Sequence, residues 1–177
     1  MDDDDPETLH DGRYLELRRR GGWEFAHRRI GRSVVAVIAV DREDRLLLVE
    51  QFRPAVEAHV IELPAGLVGD GIDDANENAL AAARRELMEE TGFEAESWIP
   101  LPSVVSSAGL TDERVELFLA RGLHRVGPGG GIESEAITVH LVPLSNLIPW
   151  LGRKIDGGCS VDGRVYAAPT FISVFPE

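Results

Sequence analysis

The sequence predicts a single α/β domain built around a mixed sheet, on three observations. Short apolar runs, some alternating and some continuous, recur between turn-forming residues along most of the chain. Two segments carry helical signals, and strand-like runs separate them instead of grouping them at one end. A chain of 177 residues, 44% apolar and 28% charged, is long enough for one full core, and it shows no internal repeat and no interdomain linker.

Taken in order, "MDDDDPE" is an acidic run with nothing to bury, so residues 1–12 are expected to be disordered and the domain to span 13–177. "YLELRRRGGWEFAHRRI" reads as two strands about Gly21 and Gly22, a hairpin turn, and "SVVAVIAVDREDRLLLVEQF" repeats that logic around "DRED". "VIELP" adds a short apolar run, and "AGLVGDGIDDANE" is a loop that ends in Asp73 and Asp74, either able to cap a helix. The helix is expected from Ala75 to Thr91, with Leu80, Ala83 and Leu87 on its apolar side and Gly92 as a left-handed C-cap. Strands follow in "SWIPLPSVV", "RVELFLARGL" and "AITVHLVPL", separated by the loops "SSAGLTDE" and "GPGGGIESE". A second helix, "LSNLIPWLGRK", is expected to be interrupted at Pro149, and the segment after Ile155 carries no functional signal.

Composition excludes some functions. The formal charge of −13 argues against nucleic-acid binding, because a phosphate backbone rewards a basic surface. The longest apolar run, "VVAVIAV", is too short to span a bilayer, and no basic-then-apolar leader opens the chain, so no membrane role and a cytoplasmic location are expected. Cys159 is the single cysteine and is read as a packing or surface residue. Residues 13 to 32 hold seven arginines against two glutamates, which suits either a solvated strand face or a surface offered to an anionic ligand or an acidic neighbouring subunit.

The segment "ALAAARRELMEETGF" raises the chemical question. At helical spacing Glu86, Glu89 and Glu90 share one face, where like charges repel. A divalent cation relieves that repulsion, and clustered carboxylates form a hard-oxygen site for Mg²⁺ or Mn²⁺ that leaves positions open for water and a phosphate oxygen. The plainer alternative is a solvated face on which Arg85 pairs with Glu89 four residues on.

Read with its upstream part, Gly71, Glu77, Arg85, Glu86, Leu87, Glu89, Glu90, Gly92 and Phe93 fill every fixed position of a pattern that resembles the Nudix box. The resemblance implies an α/β/α sandwich and hydrolysis of a nucleoside diphosphate linked to another moiety. By position it implies Glu86, Glu89 and Glu90 as metal ligands, Arg85 as the residue that orients them, Glu77 as a supporting carboxylate and Ala65 of "LPAG" as the source of a carbonyl ligand. In close relatives the glycine of "PAG" is itself the box glycine. Here ten residues lie between Gly66 and Glu77, which reads as an insertion of about five residues that keeps a glycine at position 71.

Beyond the box, "VEQFRPAVEAHVIELPAG" and "WEFAHR" resemble the ADP-ribose pyrophosphatase branch. This implies Arg53 on the substrate phosphates, Trp23 stacked on adenine and Arg28 as a second guanidinium, although Trp23 reads equally well as a hairpin core aromatic. Ala108 stands where that branch carries a proline. "GGGIESEAITVHLV" resembles the loop that supplies a general base, here Glu133 with Glu135 close by, and Gly127 to Gly131 would let it close. Relatives are usually homodimers whose N-terminal strands reach the partner's site. The expected substrate is thus ADP-ribose or a related ADP-sugar; the alternatives are another nucleotide sugar such as GDP-mannose, a dinucleotide, or a module that binds a nucleotide without cutting it.

Overall fold

A computed structural model describes residues 5–29, 33–69, 77–131 and 136–175. The strands and helices run β1 (Glu7–Asp11), β2 (Leu15–Arg20), β3 (Trp23–Arg28), β4 (Val34–Val40), β5 (Arg45–Arg53), β6 (Ala58–Glu62), β7 (Ala65–Leu67), α1 (Ala79–Thr91), β8 (Phe93–Pro100), β9 (Val104–Val105), β10 (Arg114–Arg125), β11 (Thr138–Pro143), α2 (Leu147–Asp156), β12 (Ser160–Val161) and α3 (Gly163–Val174), with a 3₁₀ turn at Leu144–Asn146. The first three strands form their own antiparallel sheet, and the other nine share one sheet with the main path β12-β6-β5-β4-β10-β8. That sheet is mixed: β4 runs parallel to β10 and β12 parallel to β6, whereas β5 and β8 are antiparallel to their neighbours.

β4 explains the sandwich. Ala36, Ile38 and Val40 face one core, shared with Leu147 and Leu151 of α2 and Val165 and Ala168 of α3. Val35, Val37 and Ala39 face the other, shared with Ala82, Ala83 and Leu87 of α1. The expected α/β/α layering is therefore present, and "VVAVIAV" is continuous because a strand covered on both faces has no solvent side to alternate with. Each fully buried Val or Leu contributes about 1.5–3 kcal/mol, so the two faces of this one strand are a large part of what joins the layers. Among the described residues, no helix is long and apolar enough to cross a membrane.

Several expectations change. Glu7–Asp11, expected to be disordered, pairs with β2 as an edge strand, where Arg19 and Glu7 form an ion pair. The hairpin about Gly21 holds, with Gly21 at φ 58°. Helix α1 begins at Ala79 rather than Ala75, because Asn78 is the N-cap and its side chain accepts the Ala81 N–H at 2.9 Å. Asp73 and Asp74, the expected caps, lie outside the described residues. Gly92 caps the other end in the left-handed region, φ 73°, as expected. Pro149 does not interrupt α2. It sits at the third helical position, where the backbone N–H has no partner within the helix and its loss costs little. Helix α3 was not anticipated: Asp162 caps it, and Pro169 lies inside it.

Candidate active site

The short strand β7 pairs with β4 and lies against α1, which brings Ala65 and Gly66 onto Glu86 and Glu90. Glu90 Oε2 accepts the Ala65 N–H at 3.0 Å. A Cβ at Gly66 would fall inside the Glu86 carboxylate, so only glycine permits this approach. Gly66 is therefore the glycine packed against the acidic face, whereas Gly71 lies outside the described residues.

Arg85 organises the acids. Its Nε and Nη2 donate to the two oxygens of Glu77 at 3.0 and 3.1 Å, Nη1 donates to Glu86 at 2.8 Å and Glu89 at 3.2 Å, and Nη2 also donates to the Leu67 carbonyl at 3.0 Å. This fork is something a lysine could not reproduce. Glu77 also accepts the Gly69 N–H at 2.9 Å. The Arg85 bond, aided by Gly69, holds the Glu77 carboxyl below its ordinary range against the opposing effect of burial. Glu86 and Glu90 are buried, and Glu89 is the more open of the three.

The three glutamates do not close on a single point, and no three described His, Cys, Asp or Glu residues form a ready metal cage. The residues nonetheless fit a hard divalent cation. All donors are oxygens, two of the carboxylates border an open cleft, and Mg²⁺ binds through one or two carboxylates while keeping several waters. The cleft has a volume of about 410 Å³.

The same cleft is also lined by three arginines, each paired with an acid. Arg53 Nε donates to Glu62 at 2.7 Å. Arg28 donates to Glu113 at 2.6 and 3.0 Å. Arg164 donates twice to Asp162, each at 2.8 Å. Glu113 and Asp162 are both held below the ordinary carboxylate range: burial works against this, and Ser106 and Arg28 outweigh it at Glu113, as Arg164 does at Asp162. Arg28 reaches the cleft because β3 is laced to residues 109–113 by Trp23 Nε1 to the Gly109 carbonyl at 3.3 Å, Ala26 N–H to the Leu110 carbonyl at 2.8 Å, and His27 to Asp112 at 2.7 Å.

The structure thus brings Ala65, Glu86, Glu90, Arg28 and Arg53 to one cleft, with Glu77, Arg85 and Glu89 linked to them by hydrogen bonds. It does not bring Trp23 there. The indole is 61% exposed on β3, so it is not the hairpin's core aromatic; Phe25 takes that place at 8%. Glu133 and Glu135 lie outside the described residues. The glycine run before them is not loose, because Gly130 N–H bonds the Glu90 carbonyl at 2.8 Å and Gly131 N–H the Glu89 carbonyl at 3.0 Å, closing the end of α1. Arg164 and Glu113 were missed. Asp162 ahead of "RVYAA" was the available signal for a capped helix, but no local pattern points Arg164 at the cleft.

Comparison with known proteins agrees with this geometry. The NUDIX domain family matches residues 30–156. The methanol dehydrogenase activator of Bacillus methanolicus is 33% identical over 143 residues, covering 80% of this chain and 70% of its own. An ADP-ribose pyrophosphatase of Mycobacterium tuberculosis is 34% identical over 146 residues, covering 78% of this chain and 69% of its own. A crystal structure of an ADP compounds hydrolase matches with a TM-score of 0.65 over 96% of this chain and 92% of that one; at 20% identity this likeness speaks to the fold.

Proposed function

The chain belongs to the Nudix family, and from that premise we propose that it hydrolyses ADP-ribose, or a closely related ADP-sugar, to AMP and a sugar phosphate. The observation that carries this reading is the single cleft with buried Glu86 and Glu90 on one wall and Arg28, Arg53 and Arg164 on the other. Such a cleft suits a diphosphate, which needs cationic donors and a metal-bearing acidic face at once. The ADP-ribose pyrophosphatase relative supports the choice of substrate.

Glu86, Glu89 and Glu90, with the Ala65 carbonyl, would hold the divalent cation, Mg²⁺ or Mn²⁺. When bound, such a cation neutralises charge on the diphosphate and makes water a stronger acid. Arg85 holds Glu86 and Glu89 side by side rather than splayed by repulsion. Arg53 and Arg28 donate to phosphate oxygens and fix the diphosphate in line with the attacking water. Glu133, or Glu135 two residues on in the sequence, is the general base: it takes the proton as a water oxygen bonds to phosphorus and the bridging P–O bond breaks.

Trp23, exposed on the three-stranded sheet with Leu9, Leu15 and Leu17, is proposed to stack on adenine in a second copy's site within a homodimer. Sedimentation at micromolar concentration tests this, and a monomer would exclude it. The activity itself is tested by chromatography of products from ADP-ribose, GDP-mannose and a dinucleotide in Mg²⁺. AMP and ribose 5-phosphate from ADP-ribose at the highest rate are expected. Faster cleavage of another substrate overturns the specificity, and no cleavage of any overturns the hydrolase reading.

A further inference from the structure

The C-terminal segment plays no part in the metal-facing wall, yet it delivers a guanidinium to the cleft. Strand β12 pairs in parallel with β6, Ser160 opposite Val60 and Val161 opposite Ile61. The Asp162 N–H then donates to the Ile61 carbonyl at 2.9 Å, which fixes Asp162 beside Glu62, the partner of Arg53. Asp162 caps α3 by accepting the Arg164 N–H at 2.8 Å, and the same carboxylate holds the Arg164 side chain through Nε and Nη2. Nη1 makes no hydrogen bond among the described residues.

Arg164 stands where two hollows meet. It borders the cleft of about 410 Å³ that contains Glu86 and Glu90, and it also borders a compartment of about 270 Å³ formed with Val104, Ser106, Asp162 and Ala167. Arg28 and Glu113 line both the same cleft and a larger hollow of about 800 Å³. The diphosphate cleft is thus flanked by two compartments of unequal size, with a paired arginine at each boundary. Known ligand pockets hold about 300–1,000 Å³, so the larger hollow takes a nucleoside with room to spare and the smaller takes only a compact group.

We infer that Arg164 is a substrate-binding residue, whose Nη1 edge holds a non-bridging phosphate oxygen where the non-nucleoside moiety turns into the smaller compartment. Because Asp162 already neutralises Arg164, the gain is directional rather than a general attraction for anions. The side chain is also held in place before substrate arrives, which lowers the entropy lost on binding. This rests on the diphosphate hydrolase reading and adds to it the residue that recognises the second half of the substrate.

The test compares Arg164→Met and Arg164→Lys with wild type by ADP-ribose hydrolysis in Mg²⁺, calorimetric binding of ADP-ribose in EDTA, and thermal melting. Arg164→Met is expected to raise KM about tenfold and weaken binding to match, with kcat within about threefold, the pattern of a contact made equally in ground and transition states. Arg164→Lys keeps the charge and is expected to melt close to wild type while still raising KM about threefold or more, because an ammonium cannot hold Asp162 and phosphate in one fork. Wild-type KM and wild-type binding in Arg164→Lys would overturn the inference, whatever happens to Arg164→Met. Should wild type cut no diphosphate but still bind ADP-ribose more tightly than Arg164→Lys, the hydrolase reading falls and Arg164 keeps its role.

Discussion

The two walls of the cleft are built in opposite ways. The acidic wall comes from one stretch of chain, Ala65 to Glu90, packed so closely that Gly66 has no space for a methyl group and one arginine serves Glu77, Glu86 and Glu89 together. The basic wall is gathered from β3, β5 and α3, and each arginine has its own acid: Asp162 lies two residues from Arg164, Glu62 nine from Arg53, and Glu113 85 from Arg28. The acidic wall behaves as one unit, in which a change at any member disturbs the rest. The basic side gives each arginine its own hydrogen-bonded acid, and the three pairs touch one another only through charge, Arg53 acting on Asp162 and Arg164 on Glu62 and Glu113.

That contrast can be broken in order of effect. Glu90→Gln is expected to cost about 10³-fold in kcat with little loss of stability, because the amide oxygen can still accept the Ala65 N–H; ADP-ribose turnover beside a thermal melt checks it. Gly66→Ala should force the Glu86 carboxylate aside, with activity down about 10–100-fold while denaturant unfolding changes much less, because only the end of one flexible side chain must move. An acid titration of stability sharpens the point about shared partners. The Glu77 carboxyl is depressed in the folded state, so its contribution is present above the ordinary glutamate value and is lost as pH falls through the lower native value. Glu77→Gln should flatten that limb of the stability curve. Smallest is Trp23→Ala, which removes an exposed ring and its hydrogen bond to the Gly109 carbonyl and changes monomer stability by about 1 kcal/mol or less while ADP-ribose KM rises. A KM equal to wild type would remove Trp23 from the substrate site.

The same contrast decides what was legible in the sequence. Glu86, Glu89, Glu90 and Arg85 lie on one helix, and helical spacing alone places them on one face. The double-sided burial of "VVAVIAV" agrees equally with its pattern. Gly66 was harder, because residue spacing favours Gly71, while the close approach to Glu86 depends on how β7 is laid over α1. The start of α1 shifted because capping is decided by which side chain reaches a free N–H, and Asn78 does so. Arg164 was out of reach: its meeting with Glu86 and Glu90 depends on the parallel docking of β12 on β6, a pairing distant in the chain.

The placement of β4 also sets the order in which the protein can assemble on a ribosome. Its hairpin partner β5 pairs with it only at Ala39 and Val40, and β10 begins its parallel pairing at Val34 opposite Val115. About 80 residues must be synthesised between those positions, which at roughly 5–20 residues per second means about 4–16 seconds. Throughout that interval one of the most apolar strands in the chain waits without its long-range neighbour, and such late pairing makes folding slow. Substitutions in β10 would then be felt twice, in the delay before β4 is paired and in the two cores to which Val115, Leu117, Phe118 and Leu119 contribute.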